Sequence, residues 1–132
     1  MHMLIDEQPT TFGEAEKVAI ELCALKPPVF IDLRQVCLPN DKWRWKHVTH
    51  LFTLPNFEDE LHLFAKEIGL NRVWFQRNGT MPHYDLNDGR REVALRVGVT
   101  ELNKFMTVAV IRLWGVERRK RDEQTKVLRC SQ

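Results

Sequence analysis

Apolar residues recur at helical spacing in several stretches of this chain, with short apolar runs of strand length between them. Ala15, Val18, Ala19 and Leu22 share one helical face, which predicts a first helix from about Phe12 to Lys26. Thr11 followed three residues later by Glu14 is a capping-box pattern, in which side chains satisfy the first free backbone N–H groups. Pro27-Pro28 ends that helix, because proline has no N–H to donate. Val29-Phe30-Ile31-Asp32-Leu33 is a β-branched, apolar run that predicts a buried strand ending at an aspartate. From Arg34 to Pro55 no period is clear. That segment holds a Pro39-Asn40-Asp41 turn, then Trp43, Trp45, His47 and His50, and long irregular segments in compact domains are commonly functional.

Asn56 is placed to cap a second helix, with Glu58, Asp59 and Glu60 in its first turn opposing the positive end of the dipole. Leu61, Phe64, Ala65 and Ile68 form its apolar stripe, and Gly69 suits the left-handed position just past its end. Arg72-Val73-Trp74-Phe75-Gln76 predicts a second strand and Arg77-Asn78-Gly79-Thr80 a loop. A third helix is expected from about Leu86 to Val97, stopped by Gly98, and Val99 to Leu102 suits a third short strand. Asn103 would cap a last helix carrying Met106, Ala109, Leu113 and Val116 on one face, although Val108, Val110 and Ile111 leave a strand as the alternative there. Strands alternating with helices predict a small three-layer α/β domain with a short, mainly parallel sheet and crossover helices, plus an added N-terminal helix.

Composition adds boundaries to this picture. A chain of 132 residues suits one domain, divided here into an N-terminal helical extension (1–27), an α/β core (28–102), and a C-terminal helix with a basic tail (103–132). Twenty basic against 18 acidic side chains, a net charge of +2, argue against a strongly polyanion-seeking protein overall. The charge is nonetheless uneven: Glu117-Arg118-Arg119-Lys120-Arg121 opens a basic segment that adds Lys126 and Arg129. Such a run serves nucleic-acid contact in some proteins and is a solvated helix face or frayed tail in more. Cys23, Cys37 and Cys130 include no CxxC pair, which speaks against a disulfide framework or a four-cysteine zinc site. Apolar runs fall far short of the roughly 20 residues that cross a bilayer. The stretch Met1 to Asp6 lacks the basic and apolar regions of a signal peptide, so no membrane association and a cytoplasmic location are expected.

The candidate chemistry centres on Pro82-His83-Tyr84-Asp85. Ligands of open parallel sheets gather beyond the carboxyl ends of the strands, and that topology would bring Asp32, the His47–His50 segment and His83-Tyr84-Asp85 to one edge. Motifs for P-loops, dinucleotide folds and serine hydrolases are absent: GxxxxGK[ST], GxGxxG and GxSxG do not occur. The residues Asp32, His50-Leu51, Glu60-Leu61-His62, Trp74-Phe75-Gln76, Pro82 to Leu86, Arg91, Ala94 and Gly98 together resemble a bacterial and phage family, domain of unknown function 4031. The resemblance runs from about Val29 to Leu102, with Pro-His-Tyr-Asp-Leu its most specific block. The family implies no established activity, so it sharpens the site and leaves the reaction open.

Each candidate carries a plainer alternative. His83 and Asp85 suit proton transfer or metal binding, yet Asp85 could equally cap the third helix while His83 makes a buried hydrogen bond. His50 and His62 with Asp85 or Asp32 would supply the nitrogen and oxygen donors that zinc, manganese or iron accept, and His50, His83 and Asp85 are the candidate metal ligands, although no HExxH pattern occurs. His62, beside the core stripe of its helix, is expected to be a half-buried packing residue. Arg91 is a candidate for holding a phosphate or carboxylate, with Arg90 its rival and a salt bridge to Asp88 the alternative. Tyr84 is a candidate for offering a hydroxyl to the substrate, or for capping the core. Trp43 and Trp45, flanking Arg44, suit either base stacking or cover of an apolar edge.

Three functional readings follow. One is a small hydrolase or phosphoester-processing enzyme, assisted by a divalent metal, with His83, Asp85, His50 and Asp32 as catalytic residues and Arg91 and Tyr84 binding the substrate. A second is a non-catalytic module for a nucleotide or another small anionic or phosphorylated ligand, or for nucleic acid held by Trp43, Trp45 and the basic C-terminal segment. The third is a phage or bacterial accessory protein acting through a protein partner. One scaffold hosts many activities, so fold alone does not choose among them.

Overall fold

A computed structural model describes residues 12–77 and 79–130 of the chain. Thr11 with its capping box, the stretch Met1 to Asp6 and Asn78 lie outside the described residues, as do the side chains of Arg129 and Cys130. The elements are α1 (Phe12–Cys23), β1 (Val29–Ile31), β2 (Gln35–Val36), β3 (His47–Thr53), α2 (Glu58–Glu67), a 3-10 turn (Arg72–Trp74), β4 (Tyr84–Leu86), α3 (Asp88–Val97), β5 (Thr100–Glu101) and α4 (Lys104–Cys130).

β3 is the centre of the sheet. Its Leu51 pairs with Ile31 of β1 on one side and with Tyr84 of β4 on the other, both antiparallel. β2 pairs with the start of β3, and β5 runs parallel to β1 at the far edge. The domain is thus a small α/β fold with a mixed sheet, and the parallel pairing expected from the sequence is confined to β1 and β5, the pair whose connection carries α2 and α3. The expectation of a mainly parallel sheet rested on a strand at Arg72–Gln76. There the chain instead makes a 3-10 turn, capped by Asn71, whose side chain accepts from the Val73 N–H at 3.0 Å. The strands that break the parallel pattern are β3, inside the segment without a period, and β4, which begins where the third helix was expected to approach.

Side chains alternate across a strand, so a sheet covered on both faces splits its apolar residues between two cores. Val29, Ile31 and Leu51 face α2 and α3, packing with Leu61, Phe64, Ala65 and Ala94. Phe30 and Phe52 face α1 and α4, packing with Val18, Leu22, Ala109 and Trp114. These are the three layers anticipated from the sequence. Each fully buried aliphatic or aromatic side chain stabilises the fold by roughly 1.5–3 kcal/mol.

Helix ends follow local chemistry with two departures. Gly98 (φ 108°) closes α3 in the left-handed region, and Gly69 (φ 86°) does the same just beyond α2. Asn103 caps α4 through its side-chain oxygen, 2.9 Å from the Met106 nitrogen, and the helix is continuous past Ile111, so the strand alternative there does not hold. Asn56 does not cap α2: it takes a positive φ of 76°, and Phe57 occupies the cap position with no side-chain bond. Asp85 does not cap α3 either, because Asn87 does so, accepting from the Arg90 N–H at 2.9 Å. From Arg118 to Val127 the side chains of α4 are exposed, the solvated-face reading of the basic run. No helix among the described residues is long and apolar enough to cross a membrane.

Candidate metal centre

The site starts with an irregularity in the sheet. Between the pairs Ile31↔Leu51 and Gln35↔Val48 there are four steps along β1–β2 but three along β3, so one residue is extra. Such a bulge bends the strand and re-aims a side chain. Asp32 stands at its start. The Asp32 N–H still donates to the His50 carbonyl at 3.3 Å, but the return bond is made by the side chain: the His50 N–H donates to Asp32 Oδ1 at 2.8 Å. The other carboxylate oxygen, Oδ2, lies 2.6 Å from His50 Nδ1 and accepts from Gln35 Nε2 at 2.8 Å. Asp32 is buried, yet every oxygen it offers is engaged, the condition under which a buried carboxylate is tolerated.

On the other side of β3, His50 is directly opposite Asp85. His83 lies two residues before Asp85 and therefore shares its face, anchored by reciprocal backbone bonds to Gln76 at 2.9 and 3.0 Å. Asp85 Oδ1 stands 3.3 Å from His83 Nε2 and 3.7 Å from His50 Nε2. Its Oδ2 accepts from Gln76 Nε2 at 2.6 Å. The two imidazoles meet edge to face with centroids 5.0 Å apart. His83 Nδ1 is 2.9 Å from the Met81 carbonyl, an acceptor only, so that nitrogen carries a proton and Nε2 is the variable one.

Charge and burial oppose each other here. Burial drives the His83 imidazole down, but the hydrogen bonds to Asp85 and the Met81 carbonyl, with the charges of Asp85 and Asp32, outweigh it and its pKa lies above the ordinary value. Burial likewise pushes Asp85 up, while the hydrogen bonds from His83 and Gln76 and the neighbouring imidazoles hold its carboxyl below the usual range. Without an ion, His83 and Asp85 thus each favour the charged form of the other.

His50, His83 and Asp85 each offer one ligand atom, all within 4.8 Å of one another. Donors placed about 2.0–2.1 Å from a tetrahedral ion stand about 3.3–3.4 Å apart, which the 3.3 Å from Asp85 to His83 meets and the 3.7 Å from Asp85 to His50 approaches. Both histidines already have Nδ1 engaged, one by the Asp32 carboxylate and one by a backbone carbonyl. That is the outer-shell arrangement which fixes ring orientation in metal sites and presents Nε2 inward. Asp32, Gln35 and Gln76 hold the three donors in place from outside.

The other sequence candidates are not brought to this cluster. Tyr84 lies between His83 and Asp85 in sequence, so its side chain points to the opposite face, where it is buried with its hydroxyl 2.9 Å from His62 Nδ1. Arg91 pairs with Glu101 of β5 rather than with a site for an anion, and Asp88 pairs with Arg34 at 2.8 Å instead. Arg90 donates to the Ile68 carbonyl at 2.6 Å and lines a cleft that reaches Asp85. His62 is half-buried in an aromatic cluster with Phe75 and Tyr84, a packing residue as expected. Cys23 and Cys37 are free thiols.

The sequence marks Gln76 and Trp74 only through the family resemblance and Gln35 not at all, yet Gln35 and Gln76 hold the carboxylates and Trp74 shares the cleft with Trp43 and Trp45. A glutamine carries no local signal of such a role; only its place in the sheet reveals it, Gln76 directly opposite His83 and Gln35 opposite Val48, two residues from His50.

No curated protein and no solved structure matches the chain. A family model matches residues 29–114, from the first residue of β1 to the buried Trp114 of α4. The match takes in the whole sheet and every residue of the His–Asp cluster, and the chain belongs to the family described as "Protein of unknown function (DUF4031)".

Proposed function

We propose that this chain is a phosphoester hydrolase assisted by a divalent cation held by His50 Nε2, His83 Nε2 and one Asp85 oxygen. The observation that supports this reading is the convergence of three donors whose outward-facing atoms are already committed, Asp32 and the Met81 carbonyl on the two Nδ1 atoms and Gln76 on Asp85 Oδ2. Two imidazoles and one carboxylate suit zinc, manganese or iron, and three protein ligands leave a position open. A cation there supplies Lewis acidity and an acidified water. Hydrolysis adds that water's oxygen to phosphorus and breaks the ester P–O bond, and the two hydrogens of the water are divided between phosphate and alcohol.

The chain's own residues do the positioning. Asp32 keeps the His50 ring turned toward Asp85, and Gln76 keeps the Asp85 carboxylate turned toward both rings. The same donor set also serves iron-dependent oxygen chemistry. Hydrolysis of an anionic ester is favoured because the cleft reaching Asp85 is lined by Lys42, Arg44 and Arg90.

The test is metal content and divalent-ion binding of the purified protein beside His83→Ala and Asp85→Ala, followed by assay of mono- and diester phosphates with zinc, manganese or iron. Tight binding lost in both variants, with metal-dependent ester cleavage in the wild type, is the expected result. No binding in any of the three proteins overturns the metal centre, and binding without cleavage of any ester overturns the hydrolase.

A further inference from the structure

Beside the triad opens a cleft of about 860 Å³, within the range of ligand sites. Its lining combines two chemistries. The first is aromatic: Trp43 anchors the loop before β3 by donating from its indole to the His47 carbonyl at 3.2 Å, whereas Trp45 and Trp74 leave 38% and 52% of their surface uncovered. Neighbouring Val73 is 79% exposed. Large apolar surface gathered in one hollow, with nothing among the described residues to cover it, marks a place where a binding partner covers it.

The second chemistry is cationic. Arg44 lies with its guanidinium 4.4 Å from the centre of the Trp45 ring, so charge and flat aromatic face are presented together. Lys42 and Arg90 also line the cleft, against the acids Asp41 and Asp85. Asp85 is already matched by its histidines, which leaves the remaining lining with a cationic excess. Flat indoles beside guanidinium and ammonium groups fit a ligand that is itself a planar ring attached to an anion.

We infer that the cleft binds a nucleotide unit, its base stacked on the exposed indoles and its phosphate drawn by Arg44 and Lys42 toward the Asp85 end. This deepens the hydrolase reading by naming its substrate class. It rests on that reading for the reaction, but the binding itself needs only the cleft. The shared chemistry is a base with its phosphate, either as a free nucleotide or as part of a single strand.

The experiment is a titration of tryptophan fluorescence in the presence of chelator, using adenosine monophosphate and a six-nucleotide single strand as probes, with salt varied. Chelator keeps the outcome independent of the metal centre, so the cleft and the triad fail separately. Quenching by either probe is expected, weakened about 5- to 150-fold by Trp74→Ala, as loss of one stacked base predicts. Trp74→Phe should restore most of it, and Arg44→Ala should weaken it while reducing the salt dependence. A much tighter strand with steep salt dependence identifies the single strand as the source, and comparable affinities identify the free nucleotide. No quenching by either probe at millimolar concentration overturns the proposal. So does binding that Trp74→Ala and Arg44→Ala, both folded by circular dichroism, leave unchanged.

Discussion

Asp32 grips His50 twice: one carboxylate oxygen accepts the His50 backbone N–H at 2.8 Å, and the other lies 2.6 Å from its ring Nδ1. Backbone position and ring orientation of a proposed metal ligand are thus set by one buried side chain just past the end of the neighbouring strand. Asp32→Asn tests this. The amide oxygen can still accept the backbone N–H, but the amide nitrogen would donate to Nδ1 and place the ring proton on Nε2, the atom that must be bare to bind an ion. Affinity for the divalent ion should fall about 10- to 100-fold, the usual cost of losing an outer-shell partner. Isothermal titration of wild type and variant with zinc checks it, and equal affinities would show that Asp32 only shapes the bulge.

Much of this arrangement was open to reading in the chain, for reasons that differ between elements. Helix α2 carries an apolar stripe and ends at Gly69, so period and cap agree, whereas α3 buries only Ala94 among its helical residues and is marked chiefly by its cap at Gly98. β3 was hidden because Leu51, Phe52 and Thr53 are all buried, one face under α2 and α3 and the other under α1 and α4, which erases the alternation that marks a strand. Arg72–Gln76 differs in the opposite way: its composition suits a strand, but Arg72–Trp74 form a 3-10 turn in which Val73 and Trp74 are exposed. At the candidate site, His50, His83, Asp85 and Asp32 lie together, whereas Tyr84 and Arg91 lie elsewhere. Alternation along Tyr84–Leu86 would have excluded Tyr84 had those three residues been recognised as a strand.

Trp114, the last residue of the family match, ties α4 to the central strand. Its indole N–H donates to the Thr53 carbonyl at 2.7 Å, in a core where the Thr53 hydroxyl in turn donates to the Pro28 carbonyl at 2.5 Å. Trp114→Phe keeps most of the volume but leaves a buried carbonyl without its donor, a loss of about 1–3 kcal/mol. Trp114→Ala adds a cavity and should cost about 3–5 kcal/mol. Urea unfolding of the two variants measures both. If Phe costs nothing, the hydrogen bond contributes nothing net and only the packing holds α4.

Gly69 couples the end of α2 to the cleft. Its φ of 86° is left-handed, and a Cβ there would collide with the guanidinium of Arg90, which is bonded to the Ile68 carbonyl. Gly69→Ala should therefore destabilise the fold by about 1–2 kcal/mol through the backbone alone. It should also displace Arg90 within the cleft and weaken nucleotide binding. Arg90→Ala in the same background removes the collision but not the backbone strain. The double variant should recover only part of the stability in a denaturant titration, and full recovery would mean that the collision was the whole effect.

His62 gives the fold a dependence on pH that is separate from the metal centre. Burial, with the charge of Arg72 and a smaller push from Arg77, lowers its pKa against the opposing pull of Glu58 and Asp59. Its Nδ1 faces the Tyr84 hydroxyl, and its Nε2 is buried without a hydrogen-bond partner among the described residues. A histidine whose folded pKa lies below its unfolded value takes up its proton more readily in the unfolded chain. Its effect on stability is therefore nil above an unfolded pKa of about 6.5, and it becomes destabilising as the pH falls below that value. The wild type should lose stability between pH 7.5 and 5 relative to His62→Gln, which can still meet the tyrosine hydroxyl but cannot titrate. Urea unfolding of both proteins across that range measures the difference. A gap that stays constant would mean that His62 accepts its proton in the fold as readily as in the unfolded chain.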